Sequence, residues 1–394
     1  VEYFDSSFYY PAYKSVAEVT PNEDHQSKLR SLYTIFVSEL VLARALEWKP
    51  DLVFGVAQSP FTLESLAQFR QVGIPVAFWF VEDFRTLSYW KSFAGQYDYF
   101  FHIQRGEFER QLEALGVRNS YYLPMAASPH IHRPLELSPQ ERSEFGSELS
   151  FIGAGYYNRR QFFLQLLDRD LKVWGTEWDD YSPLAQKMPR VNERISPTDC
   201  VKIFNAADIN LNLHSSAYHG GINPNGDFVN PRTFEIAACG AFQLVDLRSE
   251  LPNLFEIGRE VETFRNIEEL RRKIDYYRSH PDERQAIAEE GRQRVLREHT
   301  YRLRMEEMLS IVASGNPALR NRRENPNLAR NLIKSAGSDS ELREFFQRFD
   351  PEEELSIDGI ADHIRSRNEK LNPTEGIFLL MKEFQDWARE KKVI

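Results

Sequence analysis

Hydrophobic and polar positions alternate along the first 134 residues in a pattern that predicts an α/β domain. Four short apolar runs have the length of buried strands, at residues 51–57, 75–81, 98–103 and 120–123. The stretches between them carry apolar residues at helical spacing. Strands that alternate with helices are typical of a parallel sheet covered by helices. A polar, proline-flanked segment follows, so we predict a first domain over residues 1–140.

A second α/β unit, predicted over residues 141–313, restarts with LSFIGAGYYNRR. This string reads as a strand, a glycine turn and a helix that opens with two arginines. Gly153 and Gly155 allow close approach of the backbone to a ligand, and Arg159 or Arg160 can reach a phosphate from there. We therefore expect these four residues to contribute to a phosphate site.

The most informative segment of the chain is DINLNLHSSAYHGGINPNGDFVNPRTFEIAACGAFQLVD. It reads as a buried strand, a long polar loop, a helix and a second buried strand. Asn230 is a preferred N-cap, Pro231 a preferred first helical residue, and Gly240 a suitable C-cap. The loop is longer than a connection requires, and such loops bind ligands at the carboxyl ends of parallel strands.

The start of this helix has the chemistry of a diphosphate site. Asn230, Arg232 and Thr233 stand at its N-terminus, where backbone amides favour anions. His214 lies just past the end of the preceding strand and is a further candidate for ligand contact.

The string NPRTFEIAACGAFQLVD resembles the donor-site signature of the CgeB-like (spore-maturation type) glycosyltransferases, a group-1 branch of the GT-B fold. The segments PDLVFG, GIPVAFWFVEDF, YDYFFHIQ and LPMAASPHIHRP occur in the order seen in the N-terminal domains of that family. The resemblance covers residues from about 45 to about 312. It implies two Rossmann-like domains that face each other across a cleft.

The resemblance also implies roles for individual carboxylates. In larger retaining GT-B families, two glutamates separated by seven residues hold the nucleotide sugar, and Glu235 matches the one that binds the ribose. The matching position for the sugar contact is Asp227, a shorter carboxylate that departs from the family pattern. Asp83, on the side of the first domain, is a candidate base or acceptor contact. The competing interpretation of Glu235 is a solvated residue in the first helical turn, favoured by the helix dipole.

Three further motifs argue against an NAD-binding domain and against a metal site. An NAD-binding domain is disfavoured because position 158 is asparagine, so no GxGxxG is completed. Asp168-Arg169-Asp170 spells DxD, but it follows a predicted helix and precedes a strand, so we predict a turn there and no metal site. His130 and His132 have no further clustered ligands and are interpreted as a loop pair.

Composition limits the classes of partner. A formal charge of −10 argues against general nucleic-acid binding, and no apolar run is long enough for a membrane span. Two cysteines make a disulfide framework unexpected, and we expect a cytoplasmic location. The chain begins with VEYFDSS, where the family shows an earlier strand and turn, so either a segment is missing or the first unit is abbreviated.

The last predicted region, residues 314–394, is a helical extension. Asn316-Pro317 and Asn325-Pro326 punctuate it, and apolar spacing predicts short amphipathic helices at 341–349 and 376–388. These helices are candidates for packing on the core, acceptor binding or oligomer formation.

The function expected from these patterns is a hexosyltransferase of unknown stereochemistry that uses a nucleoside-diphosphate sugar as donor substrate and needs no cofactor or metal. The acceptor is unidentified. A catalytically silent sugar-nucleotide-binding module and a nucleotide-sugar epimerase of the same fold stay open as alternatives.

Overall fold

The computed structural model describes residues 1–216, 219–223, 225–316, 327–367 and 371–390. The chain divides into two compact units, Val1–Leu309 and Ser310–Ile394. Both sheets of the described residues belong to the first unit. No helix in these described ranges is both long and apolar enough to cross a membrane.

The strands form two parallel sheets. The first has the order β1-β2-β3-β4, and its strands are β1 (Val53–Val56), β2 (Val76–Phe80), β3 (Tyr99–His102) and β4 (Ser120–Tyr122). The second has the order β6-β5-β7-β8-β9, and its strands are β5 (Ser147–Ile152), β6 (Leu171–Trp174), β7 (Ala207–Asn212), β8 (Gln243–Asp246) and β9 (Glu262–Phe264).

Helices connect the strands and continue through the second unit. Those of the first half are α1 (Tyr10–Ala17), α2 (Glu23–Trp48), α3 (Leu63–Gln71), α4 (Trp90–Phe93), α5 (Glu107–Ala114) and α6 (Pro139–Phe145). Those that follow β5 are α7 (Tyr157–Phe163), α8 (Pro197–Ala206), α9 (Pro231–Ala238), α10 (Leu251–Leu254), α11 (Ile267–Ser279), α12 (Pro281–Glu298) and α13 (Tyr301–Gly315). The last four are α14 (Ala329–Ser335), α15 (Ser340–Phe346), α16 (Ile357–Ser366) and α17 (Pro373–Glu390).

The first sheet is held by an aromatic core. All five residues of β2 are buried, which is expected of a strand covered by helices on both faces. Phe78 stacks on Tyr97 with ring centroids 4.6 Å apart, and Phe84 stacks on Phe108 at 4.7 Å. Such rings bury large areas and prefer offset or edge contacts, so they fix the helices on the sheet.

The strand order of the second sheet contains a topological switch point. The chain runs from β5 outward to β6 and then returns to the other side of β5 to form β7, β8 and β9. The carboxyl ends of β5 and β7 therefore flank the crevice where open α/β sheets bind ligands. Helices α7 and α9 are the ones that follow these two strands.

The two sheets are joined by two chain crossings. Ala127 donates its N–H to the carbonyl of His299 (3.0 Å), and Tyr301 donates back to the carbonyl of Ala127 (3.0 Å). Arg304, at the start of α13, donates to the carbonyl of Pro124 (2.8 Å). These buried contacts hold the end of the first sheet against the helices of the second.

The sequence patterns locate the elements well. All four strands predicted in the first half are present, each shorter by one to three residues. The predicted fold class, two Rossmann-like α/β domains, is confirmed. Part of the polar, proline-flanked segment that follows the first four strands forms α6, which Ser138 caps. The domain boundaries at 140 and 313 stay predictions.

The second unit contains both amphipathic helices that the sequence predicts, as α15 and α17. Its core includes Phe345, Phe346 and Ile360. Pro317 and Asn325-Pro326 lie outside the described residues. Along α17, five apolar side chains at helical spacing are exposed: Ile377, Leu380, Met381, Phe384 and Trp387. The role of these helices in an oligomer stays a prediction.

Because two histidines are buried, we predict that acid destabilises the fold. Burial lowers the pKa of both His102 and His299 to about 4, while an unfolded histidine titrates near pH ~6.5. Between pH ~4 and pH ~6.5, the unfolded chain therefore binds more protons than the folded chain. Stability is therefore fully present above pH ~6.5 and falls as pH drops toward ~4, by up to about 1.4 kcal/mol per pH unit for each histidine. Urea unfolding followed by circular dichroism at pH 7, 6 and 5 measures this slope.

The matched variants are His299→Gln and, as a control, His25→Gln on the exposed face of α2. Replacing His299 should make the slope shallower by about 1.4 kcal/mol per pH unit at most, and replacing His25 should leave it unchanged. A stability that stays level or rises on acidification would contradict the assignment.

Candidate functional site

Helix α9 begins where the sequence predicts, and a buried polar network fixes its start. The side chain of Asn230 accepts from the N–H of Thr233 and donates to the side-chain oxygen of Asn212 at the end of β7 (2.8 Å). Asn212 in turn donates to the hydroxyl of Thr233 (2.9 Å). Gly240 follows the helix at φ +64, the left-handed conformation expected just after a C-cap. The first turn of α9 is thus locked to the carboxyl end of β7.

A second buried network links β7, β8 and α9 through His214. The N–H of His214 donates to Asp246 Oδ1 (2.8 Å), and its Nδ1 lies 2.6 Å from the same oxygen. Nε2 of His214 accepts from the N–H of Asn230 (2.9 Å), so Nδ1 carries the proton and the ring is neutral. Burial lowers the pKa of His214, which agrees with this state.

Arg248 balances the charge of Asp246. Burial opposes ionisation of Asp246, but hydrogen bonds from His214 and the guanidinium of Arg248 outweigh it and lower the pKa of the carboxyl below its usual value. Arg248 is itself buried, 3.4 Å from Asp246, and donates to the carbonyl of Phe228 (3.1 Å). A side chain at Gly226 would clash with this guanidinium, so glycine at position 226 leaves the space that Arg248 occupies.

The turn after β5 is built against the turn after β6. A Cβ added at Gly155 would clash with the carbonyl of Glu177, and Gly175, at φ +123, lies against the carbonyl of Gly153. The close backbone approach that Gly153 and Gly155 allow is therefore made to the neighbouring turn of the same chain. This is a structural reason for glycine that the sequence pattern did not reveal.

Asn158 and Arg159, at the start of α7, reach the end of β7. Asn158 donates to the carbonyl of His214 (2.8 Å), and Arg159 Nε donates to the carbonyl of Leu213 (2.9 Å). Arg159 also donates to Ala154, and burial lowers its pKa to about 10, so the guanidinium stays charged at neutral pH. Within the described part of the chain, no carboxylate lies within ion-pair distance of this charge. Arg160, the next residue, is partly exposed.

Glu235 lies one turn inside α9 and contacts two cationic or polar partners. It is the fifth residue of the helix, so it lies just beyond the first turn, in which the sequence predicts it. Arg232 Nη1 donates to its Oε2. His132, from the segment that crosses between the sheets, places Nε2 3.9 Å from its Oε1. Because dipole stabilisation fades beyond the first turn, the interpretation of Glu235 as a dipole-favoured surface residue loses its physical basis.

Asp227 bridges the loop before α9 to the first sheet. Gln104, just after β3, donates to Asp227 Oδ1 (2.9 Å), and Arg85, after β2, contacts Asp227 Oδ2 (3.1 Å). Arg85 also pairs with Glu107 (2.8 Å) and lies 3.6 Å from Asp83. The carboxyl-end loops of the two sheets therefore meet at this cluster of charges.

The structure separates the predicted site residues into two groups. Glu235, Asp227, Arg232, Asp83 and Arg160 keep part of their side chains exposed. His214 and Thr233 are fully buried and satisfied by protein partners, and Arg159 is nearly so. The polar atoms of His214 and Thr233 already bind β8, β7 and Asn230, and the predicted contacts of these two residues with a ligand stay predictions.

Four residues of the site were not singled out in the sequence: Asp246, Arg248, Gln104 and Asn212. Each lies at or just after the end of a parallel strand. That position, where polar residues end a buried apolar run, is the signal that would have identified them.

The DxD segment, Asp168-Arg169-Asp170, is engaged in ion pairs and a backbone hydrogen bond. Asp168 pairs with Arg271 (2.5 Å), Arg169 pairs with Asp275 (2.6 Å), and Asp170 accepts from the N–H of Glu148 (3.0 Å). The segment turns into β6, as predicted. His130 is exposed in the turn that also carries His132.

Comparison with known proteins identifies relatives of this architecture. Residues 159–310 match the family described as glycosyl transferase-like. The spore protein CgeB of Bacillus subtilis (strain 168) is 34% identical over 187 residues, which are 45% of this chain and 56% of CgeB. The chain thus spans little more than half the length of that curated relative.

Solved structures share the fold at low sequence identity. Sucrose-phosphate synthase from Thermosynechococcus elongatus is 12% identical, with a TM-score of 0.53 over 72% of this chain and 78% of that chain. HepE from Anabaena, in complex with UDP-glucose, is 10% identical, with a TM-score of 0.53 over 70% of this chain and 82% of that chain. Together these findings confirm the predicted resemblance to CgeB-like proteins and the GT-B fold, and residues 159–310 match the glycosyl transferase-like family.

Proposed function

We propose that this protein transfers a sugar, of hexose type, from a nucleoside-diphosphate sugar to an acceptor hydroxyl. The observation that carries the proposal is the position of Glu235. It lies on the helix that follows β7 at the switch point of the second sheet, partly exposed, with Arg232 holding one of its oxygens. A carboxylate held in this way can accept hydrogen bonds from the ribose hydroxyls of a nucleotide.

The diphosphate is proposed to lie outside the carboxyl ends of β5 and β7. Arg160 is a partly exposed cation there, and the buried charge of Arg159 adds to the positive potential without direct contact. Asn230, His214 and Thr233 take no direct part in this proposal. Their network positions α9, so that its N-terminus and Arg232 face the donor.

The sugar and the acceptor are proposed to meet near Asp227 and Asp83. Asp227 is 13% exposed and shares Gln104 and Arg85 with the first sheet. A sugar hydroxyl can compete for this carboxylate because the ion pair with Arg85 is partly solvated. Asp83, which accepts from the N–H of Arg85, is a candidate base for the acceptor hydroxyl. The HepE complex with UDP-glucose makes a uridine nucleotide the first donor to test.

Glu235→Gln should weaken nucleotide binding with little effect on folding. Loss of a charged hydrogen bond to the ribose is expected to cost about 1.5–3 kcal/mol, or roughly tenfold to a hundredfold in Kd. Isothermal titration with UDP, GDP, ADP and dTDP, on the variant and the unmodified chain, measures the change.

Glu268→Gln is the matched control, since Glu268 is an exposed glutamate near the start of α11. It should bind nucleotide normally. Unchanged binding by Glu235→Gln, or loss of the native circular dichroism spectrum, would show that Glu235 does not hold the ribose.

Asp227→Asn should affect the sugar more than the nucleotide. The amide keeps a hydrogen-bond acceptor but loses the charge that Arg85 and a sugar hydroxyl share. We expect the affinity for the nucleotide sugar to fall roughly tenfold, while the affinity for the bare nucleotide changes less than twofold. Equal losses for both ligands would place Asp227 outside the sugar subsite.

Donor turnover should not require a divalent metal. Metal-dependent transfer needs hard oxygen ligands beside the diphosphate. Here Asp168 and Asp170 are engaged by Arg271 and by Glu148, and the proposed phosphate site offers arginine and helix-terminal amides. Nucleotide release from the preferred donor should be equal in excess EDTA and in added Mg²⁺ or Mn²⁺. Activity that chelation abolishes and metal restores would make Asp227 a candidate ligand.

The same assay separates an enzyme from a silent binding module. A chain that binds the donor but releases no nucleotide, with any acceptor class tested, would support the binding module instead.

A further inference from the structure

His132 and Glu235 form a polar pair that is too widely spaced for a direct hydrogen bond. Nε2 of His132 lies 3.9 Å from Oε1 of Glu235, while N–H···O bonds rarely exceed about 3.2 Å between heavy atoms. The two side chains are 12% and 14% exposed, so each is partly accessible to solvent.

The protein fixes the imidazole in this position from two sides. Within the turn, His132 donates its N–H to the carbonyl of Ser128 (2.7 Å), and the N–H of Ser128 donates to Nδ1 of His132 (3.2 Å). Asn205 of α8 holds the following residues, because it accepts from the N–H of Leu135 (2.9 Å) and donates to the carbonyl of Arg133 (3.1 Å). The turn is therefore fastened to the same domain as Glu235.

These contacts also settle which atoms face the gap. Because Nδ1 accepts from Ser128, the proton of the neutral ring lies on Nε2, which points to Glu235. Arg232 donates to Oε2 of Glu235, so Oε1 is the oxygen that faces His132. The gap is thus bounded by one donor, Nε2–H, and one acceptor, Oε1.

A hydroxyl oxygen fits this arrangement. With two hydrogen bonds of about 2.8 Å each, one oxygen spans a gap of 3.9 Å if the angle at that oxygen is near a right angle. A hydroxyl can accept from Nε2–H and donate to Oε1 at the same time, whereas a C–H group can do neither.

We propose that His132 and Glu235 together bind a single ribose hydroxyl of the donor nucleotide, so that the site selects ribonucleotides over deoxyribonucleotides. This inference rests on the proposed role of Glu235, and it adds a specificity-determining residue from the segment that crosses between the sheets. An analogue that lacks the hydroxyl would leave both polar groups unpaired in a nearly closed site, which is the most effective way to reject it.

The experiment compares matched nucleotides on matched variants. Kd is measured by isothermal titration for the preferred ribonucleoside diphosphate and for its 2′-deoxy and 3′-deoxy forms. The variants are His132→Ala, His132→Gln, which restores an N–H donor near Nε2, and His130→Ala. His130 is the exposed histidine of the same turn and serves as the control.

The unmodified chain should bind the ribonucleotide at least tenfold more tightly than one of the deoxy forms. His132→Ala should weaken ribonucleotide binding roughly threefold to tenfold, the range for a single neutral hydrogen bond. It should leave the affinity for that deoxy form unchanged, so the selectivity falls by the same factor. His132→Gln should recover part of the selectivity, and His130→Ala should match the unmodified chain.

Two results overturn the inference in different ways. If His132→Ala leaves the ratio of ribo to deoxy affinity unchanged while nucleotide still binds, His132 does not contact the ribose and the proposed function stands. If the unmodified chain binds no nucleoside diphosphate at all, the proposed function fails and this inference fails with it.

Discussion

The site depends on one buried chain of hydrogen bonds that ties the ends of β7 and β8 to the start of α9. Asp246 accepts from the backbone and the ring of His214, and His214 accepts from the N–H of Asn230. In a low-dielectric interior each of these bonds is strong, and each unmade one leaves an unsatisfied group at a cost of about 1–3 kcal/mol. The register of α9 against the sheet, and with it the place of Glu235, is therefore set by residues that need not touch a ligand.

The same network extends to the loop that carries Asp227. Arg248 neutralises Asp246, occupies the space beside Gly226 and donates to the carbonyl of Phe228. Ser249 donates its N–H to the carbonyl of Gly226 (2.9 Å). Asp227 is therefore fastened on both sides along the chain. Its carboxylate extends from a fixed backbone to the first sheet, so both carboxylates of the proposed donor site derive their positions from Asp246.

Local chemistry predicted much of the fold and the frame of the site. Asn230, Pro231 and Gly240 predicted the bounds of α9, because caps are decided by neighbours in sequence. The direction of polar side chains at strand ends could not be predicted in the same way. Thr233 faces inward because Asn212, on β7, donates to its hydroxyl. His214 faces inward because Asp246, on β8, accepts from its ring. His132 comes from a distant segment, so only the tertiary structure brings it to Glu235.

The contrast between these interactions indicates which part of the molecule can respond to a donor. The network around His214 is buried, and rearranging it would expose charged groups to an apolar interior, at a cost of several kcal/mol. The contact of Asp227 with Arg85 is partly exposed, and such ion pairs contribute about 0–1 kcal/mol. A sugar hydroxyl that takes over Asp227 therefore meets little resistance. Because Arg85 keeps Glu107 as a second partner, it is not left unpaired. Donor binding should thus act on the contact between the two sheets and leave α9 in place.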